Sequence, residues 1–325
     1  MFNLSYPVFT ISLDFELMWG VFDKRNIQNY GSNINGVRDV IFKILNLFTK
    51  YDIHATWGVV GMLYFDDINK LRKDIPLSVP NYKNSKLSAY NHIKNLNQEK
   101  LIKFYSAINL IKKIKLFKSQ ELATHTFSHF YCLEQNSNEY SFKDDIIKAI
   151  EKAKTQDIEI KSIIFPRNQY DNESLKECYK QGIVAFRGNE NNFLQKPRNQ
   201  KKLNLILRVI RFLDSYIKIT GYNTYQRIVK VKSGLINIPS SYFLRPVSKI
   251  KFIEKLKMRR IKKAMHYAAK NNRLYHMWWH PHNFGKNMDE NIVQLEEILK
   301  YYSFLKKKYG MISFNMNELS TKVNK

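Results

Sequence analysis

The chain has 325 residues, 44% of them hydrophobic, enough to bury one barrel-sized core, and no apolar run reaches the length that spans a bilayer. The two cysteines, Cys132 and Cys178, form no spaced framework, which excludes a disulfide-stapled fold and a zinc ribbon. With 54 Lys and Arg against 28 Asp and Glu, the formal net charge of +26 attracts anions such as acidic membrane surfaces, nucleic acid or sugars carried on pyrophosphate, although habitual use of Lys on a solvated surface explains it equally well.

Residues 8–13 form a short, β-rich apolar run that ends at Asp14, as a buried parallel strand would. In an extended strand Asp14 and Glu16 share a face. Trp19 and Phe22 follow in a loop, where their rings either stack on a sugar or pack the loop itself. Gly31 and Gly36 punctuate a loop before an amphipathic helix marked by Val37, Ile41, Ile44, Leu45 and Phe48, and a second strand covers Ile53 to Val60. The pattern then loosens. A polar stretch with Pro76 and Pro80, followed by a helix from Gln98 to Lys115, reads as an insertion at about 62–118 that caps the mouth of the site.

His125-Thr126-Phe127-Ser128-His129 follows the apolar-flanked stretch Glu121 to Thr124. A strand running into a first helical turn there places two imidazoles at i and i+4, close enough to share one divalent cation. Ser141 with Asp144 and Asp145 opens a helix, its carboxylates suited to the positive helix end. Ile160 to Phe165 is a strand that delivers Arg167 to the rim; a helix from Asn172 to Lys180 stops at Gly182, and Ile183 to Phe186 is another short strand. Strand-helix alternation at this rhythm predicts an α/β barrel whose parallel strand ends converge on one rim.

Residues 190–232 read as a second insertion, in which Lys201 to Leu213 is basic and amphipathic, suited either to an anionic bilayer surface or to packing on its own domain. Gly234 to Pro239 resumes strand character. A basic helix with Lys255, Lys257, Arg259, Arg260, Lys262 and Lys263 precedes a strand from Leu274 to His280. On that strand His276, Trp278 and His280 share one face, with His276 read as core and His282, beyond Pro281, as a substrate contact. A closing helix from Asp289 to Lys308 turns Ile292, Leu295, Ile298, Leu299 and Tyr302 inward.

Four stretches carry a family resemblance. His125 to His129 looks like the His-(Ser/Thr)-x-x-His metal motif of the polysaccharide deacetylase (NodB-homology) family, and Ala55-Thr56-Trp57-Gly58 like its Ala-Thr-Phe-Phe second strand. Phe165-Pro166-Arg167 resembles its Arg-Pro motif, and His280-Pro281 its final motif. The order agrees, and the resemblance runs from Phe9 to about Gly285. It implies one distorted (β/α) barrel domain over 1–325 with helical insertions. Where many members read Thr-Phe-Asp-Asp, this chain reads Ser12-Leu13-Asp14-Phe15-Glu16. Either Glu16 replaces the missing ligand, giving a metal set of Glu16, His125 and His129, or Asp14 binds the metal and another group acts as base.

The resemblance implies a metal-dependent hydrolase, with zinc as the expected divalent metal, that removes N-acetyl groups from an amino sugar or glycan during surface polysaccharide synthesis. Asp14 is expected as base, Arg167 as the partner that keeps it ionised, and His280 as the acid. A first strand this close to Met1 leaves no room for a cleavable leader, so the expected location is cytoplasmic, with basic helices against the inner membrane face. The alternatives are another C–N hydrolase on the same barrel acting on a small molecule, and an inactive basic relative that binds membrane or nucleic acid. No nucleic-acid signature accompanies the charge.

Overall fold

The computed structural model describes residues 1–192, 194 and 205–324, so Lys201–Asn204 of the basic amphipathic segment lie outside the described residues. Among these, eleven strands form one mixed sheet: β1 (Phe2–Asn3), β2 (Val8–Phe15), β3 (Ala55–Val59), β4 (Gln120–Thr124), β5 (Ser162–Ile163), β6 (Ala185–Gly188), β7 (Arg227–Lys230), β8 (Ile236–Pro239), β9 (Tyr242–Phe243), β10 (Leu274–Trp279) and β11 (Ile312–Ser313).

Period-two alternation in β2 sets the layering. Phe9, Ile11, Leu13 and Phe15 alternate with Thr10, Ser12 and Asp14, and all are buried. The apolar set faces the surrounding helices, where Phe15 and Phe48 close on the ring of Trp57 from 6.2 and 6.4 Å, and the polar set faces the barrel interior. Strands β2, β3, β4, β5, β6 and β8 lie side by side in parallel. Beyond Pro239 the chain changes partners: Ser240 N still donates to Gly188 O of β6 (2.8 Å), while Ser241 N donates to His276 O of β10 (2.7 Å). Strand β9 then runs parallel to β10, and β10 parallel to β2, so the ring closes. This is the distorted α/β barrel expected from the sequence, with β1 and β7 added antiparallel at its margin. The C-terminal ends of its strands share one rim.

The helices Val37–Tyr51 and Met288–Tyr309 bury the apolar stripes read from periodicity, save that Ile292 is only half-buried. Several expectations change. The helix anticipated over Gln98 to Lys115 breaks into Gln98–Lys100, a π-helical turn Leu101–Tyr105, and Ile108–Lys115. Tertiary bonds fix the break: Trp19 Nε1 donates to Tyr105 O (2.9 Å) and Ala107 N to Leu63 O (2.9 Å), drawing this connection onto the barrel mouth. Trp19 is thereby buried in loop packing. The helix expected to open at Ser141 opens at Glu139, capped by the Asn138 side chain, so Asp145 lies in the second turn and points inward. Helices Ile27–Asn35 and Met316–Asn324 were not anticipated. Among the described residues no helix is long and apolar enough to cross a membrane.

The turn at Gly285 presses against the end of the helix Ile27–Asn35 and the Gly36 junction that follows it. A Cβ at Gly285 would sit 1.9 Å from Asn33 O, and one at Gly36 2.2 Å from Gly285 O, so backbone meets backbone with no room for a methyl group. Gly285→Ala is therefore expected to destabilise the protein by about 1–3 kcal/mol, read as a lower midpoint in urea unfolding; an unchanged midpoint would mean these segments are not in contact.

Candidate metal centre and active-site cavity

Glu16 ends β2, just past the last strand residue, at φ −130° and ψ −17°. Leu17 then takes a left-handed conformation (φ 47°), which turns the chain over the rim. The Glu16 carboxyl lies against Gly20, where a Cβ would come within 1.9 Å of the Glu16 Cδ, so glycine is what leaves it space. His125 follows β4 directly. The i, i+4 spacing does not act through a helical turn as expected, because Thr126 (φ 63°) and His129 (φ 60°) are left-handed and fold the segment back on itself. The two rings end 5.0 Å apart.

That fold-back is held from below. Asp145 accepts from Phe127 N (2.7 Å), Ser128 N (3.1 Å), the Ser128 hydroxyl and Tyr90 OH (3.0 Å). Gly61 N and Met62 N, from the loop after β3, donate to the carbonyls of Thr126 and Phe127. Burial pushes the Asp145 pKa up to about 6 even with those donors, which leaves it mostly ionised at neutral pH. Sequence reasoning treated it as a helix-end carboxylate.

Glu16, His125 and His129 bring one ligand atom each within 4.8 Å of one another, all three residues buried. His125 Nδ1 lies 2.7 Å from Ile164 O, an acceptor that fixes the proton on Nδ1 and leaves Nε2 bare, 3.2 Å from Glu16 Oε2. His129 Nε2 is 2.9 Å from the same oxygen, with its Nδ1 at the Tyr131 hydroxyl. Burial lowers the His129 pKa to about 4, against the pull of Glu16, so this imidazole is neutral near pH 7. Where such a nitrogen carries no proton, as the Ile164 carbonyl dictates for His125, it repels the carboxylate oxygen unless a positive charge lies between them. This donor set, one hard oxygen and two imidazoles, fits a divalent cation such as zinc.

Asp14 sits beside this cluster inside the barrel. It does not pair with Arg167, as expected, but with Arg187 of β6, which donates through both terminal nitrogens, 2.8 Å at Oδ2. Arg187 also donates to Ser12 Oγ (3.2 Å) and Asn168 Oδ1 (3.0 Å) and lies over the Trp278 ring at 4.1 Å. Burial works to raise the Asp14 pKa, but the charge and hydrogen bonds of Arg187 outweigh it and hold the carboxyl below its ordinary range. Arg167 is carried on a left-handed turn (φ 54°) after Pro166, which aims it at Asp23 (2.7 Å) and over Tyr131 (4.1 Å). The signal for Arg187 was available: a guanidinium directly after the apolar run Ile183 to Phe186, the same pattern that singled out Asp14 and His125.

His280 completes the group, its Nε2 3.5 Å from Glu16 Oε1 and 3.7 Å from Asp14 Oδ2. Asn283 Nδ2 donates to His280 Nδ1 (3.4 Å), which favours the tautomer with its proton on Nε2, toward the carboxylates. His276 is fully buried, its Nε2 2.9 Å from Ser12 Oγ, and burial lowers its pKa to about 3. His282, expected as a substrate contact, is instead buried beneath His280 at 5.1 Å between ring centroids, its pKa also lowered by burial to about 3. A cavity of about 300 Å³ opens over Asp14, Glu16, His129, Arg167 and His280.

No protein-family model matches the chain, nor does any curated protein. Among solved structures, a Mycobacterium smegmatis protein assigned provisionally to the polysaccharide deacetylases is 10% identical, covers 100% of this chain and 95% of its own, and superposes with a TM-score of 0.59. The α-amylase AmyC from Thermotoga maritima is 9% identical over 98% of this chain and 75% of its own (TM-score 0.56). A GH57-type branching enzyme from Pyrococcus horikoshii is 10% identical over 97% and 70% (TM-score 0.51). At such identities the likeness establishes the fold.

Removing the carboxylate beneath the fold-back should loosen the cluster it supports. Asp145→Ala leaves the buried amides of Phe127 and Ser128 without an acceptor, and zinc affinity measured by calorimetry is expected to fall about 10- to 100-fold. Unchanged affinity would show that the His125–His129 segment holds its shape without Asp145.

Proposed function

We propose that the chain is a metal-dependent hydrolase that removes N-acetyl groups from an amino sugar or a glycan containing one. The observation that carries this reading is the convergence, within one cavity, of a buried Glu16–His125–His129 donor set, an ionised Asp14 and the Nε2 of His280. Glu16, His125 and His129 would hold the metal, which when bound supplies Lewis acidity and lowers the pKa of water to about 7.

The remaining work falls to the chain's own groups. An acetamide resists neutral water, so its hydrolysis needs a base for the attacking water and an acid for the departing nitrogen. Asp14, kept charged and fixed in direction by Arg187, accepts the water's proton. Arg187 takes the supporting part first expected of Arg167, which pairs with Asp23 and lines the cavity. His280 turns Nε2 to the same space; as the imidazolium it would donate to the leaving nitrogen and return to its neutral form. Trp278 and Phe243 flank its ring at 5.7 and 5.6 Å and give a sugar ring an aromatic wall.

The fold is shared with glycosidases, whose chemistry rests on two carboxyl groups, one protonated and one ionised. Two imidazole nitrogens turned onto Glu16 have no part in that scheme, and they favour amide hydrolysis at a metal.

Purified protein supplied with zinc is expected to release acetate from N-acetylated amino-sugar substrates, and Asp14→Asn to lose about 100-fold or more of that turnover while still binding metal. Arg187→Lys should cost more activity than Arg167→Lys, since only the first breaks a two-pronged hold on Asp14. Glucan cleavage without acetate release would replace this reading with a glycosidase.

A further inference from the structure

The cavity over Asp14 and Glu16 extends past His280 to a wall built by segments outside the barrel strands. Arg211, Asp214 and Ser215 reach it from the helix Leu205–Asp214 and the residue after it, Arg245 from just beyond β9, and Arg260 from the helix Lys251–Lys270. Arg260 is 7% exposed; its terminal nitrogens donate to Asp214 Oδ2 and Ile217 O (both 3.2 Å), and its Nε is buried with no acceptor. Arg245 is held in place without being neutralised. Its Nε donates to Ser215 Oγ (2.8 Å), and its guanidinium lies 5.2 and 5.7 Å from the ring centroids of Phe212 and Phe243, with no carboxylate in ion-pair range among the described residues.

The local charge does not cancel. Asp214 is engaged by Arg260, and Thr220 also donates to it. Glu190, on the same cavity wall, has its pKa pushed up to about 8 by burial and by Asp214, so it is mostly uncharged at pH 7. The positive charge of Arg245 therefore faces the cavity unopposed.

We propose that this wall is an anion subsite, in which Arg245 and Arg260 bind a phosphate ester carried by the substrate. The two guanidiniums come from different segments that line one cavity, which suits the several oxygens of a phosphate; a planar carboxylate is satisfied by one fork. Gripping the anion at this end holds the sugar attached to it beside His280 and the metal ligands, so the charge supplies position to the reaction at the other end. That last step rests on the amide-hydrolase reading, whereas the anion site itself does not.

Calorimetry on the full chain, with zinc present throughout, separates the two. Inorganic pyrophosphate, uridine diphosphate and farnesyl diphosphate serve as probes, with glucuronate as a carboxylate control. Binding of a diphosphate that weakens on the order of 10- to 100-fold in Arg245→Gln, and less in Arg245→Lys, supports the subsite. Tighter binding of uridine diphosphate would assign a soluble nucleotide carrier. Tighter binding of farnesyl diphosphate would assign a lipid carrier, whose chain has the exposed side chains of Ile206, Val209, Phe212 and Leu213 to lie against at the rim. Diphosphate binding indifferent to Arg245→Gln would place the anion on the metal and overturn the proposal, as would no binding, or glucuronate binding more tightly than any diphosphate. Where acetate release is observed, Arg245→Gln should raise KM for a 1-phosphorylated N-acetylamino sugar and leave KM for the neutral sugar unchanged. Arginine-dependent diphosphate binding without acetate release would keep the anion subsite and reject the deacetylase.

Discussion

Two imidazole nitrogens and one carboxylate oxygen meet at the buried floor of the cavity, and much of the rim holds them there. Burial costs Glu16 its hydration, but the charge of His280 and the facing rings of His125 and His129 outweigh that cost and hold its carboxyl well below the usual range. The chain accepts backbone strain to reach this arrangement. Leu17, Thr126, His129, Arg167 and Asn168 all have positive φ; the last three line the cavity, and Leu17 and Thr126 directly follow Glu16 and His125. For a β-branched residue such as Thr126 that conformation is costly. Asp145, the Ile164 carbonyl and the bare Cα of Gly20 then fix the positions of the three side chains. Strain in these turns and a nearly unbroken set of hydrogen bonds beneath them are two halves of one design, since a strained loop persists only where its surroundings dictate its shape.

The barrel interior extends the same logic toward the second carboxylate. Ser12, Asp14, Arg187, His276 and Trp278 come from three different strands and meet because each occupies an inward position. Only an inward strand position could bring a guanidinium onto both oxygens of a buried Asp14. Arg167, on a turn above the rim, is aimed across the mouth. One carboxylate is thus locked by a fixed positive residue and the other by groups that call for a metal, which divides the roles of two acids two residues apart.

Much of this was legible in the sequence, and the failures share a cause. The alternation of Phe9, Ile11 and Leu13 with Thr10, Ser12 and Asp14, the helix stripes and the short apolar runs were enough for a barrel, because strand and helix periods are local properties. That His125, His129, Glu16 and His280 come together was legible from their place at the ends of apolar runs. What was missed depends on contacts between distant segments. The break at Tyr105 is imposed by Trp19, the support of the His125–His129 segment by Asp145 comes from the next helix, and Arg187 lay in a strand read two residues too early. The i, i+4 spacing of the histidines led to a correct pairing through an incorrect conformation, since two left-handed residues also return a chain to itself in four steps.

One cation shared by three atoms would underlie the chemistry proposed for this cavity. Anomalous X-ray scattering at the zinc edge, from crystals soaked in Zn²⁺, addresses it directly. A single peak bonded at about 2.0–2.2 Å to a Glu16 oxygen and to Nε2 of both His125 and His129 is the predicted result. A peak held by other residues, or fully soaked crystals in which Glu16 turns away from the two imidazoles, would contradict it.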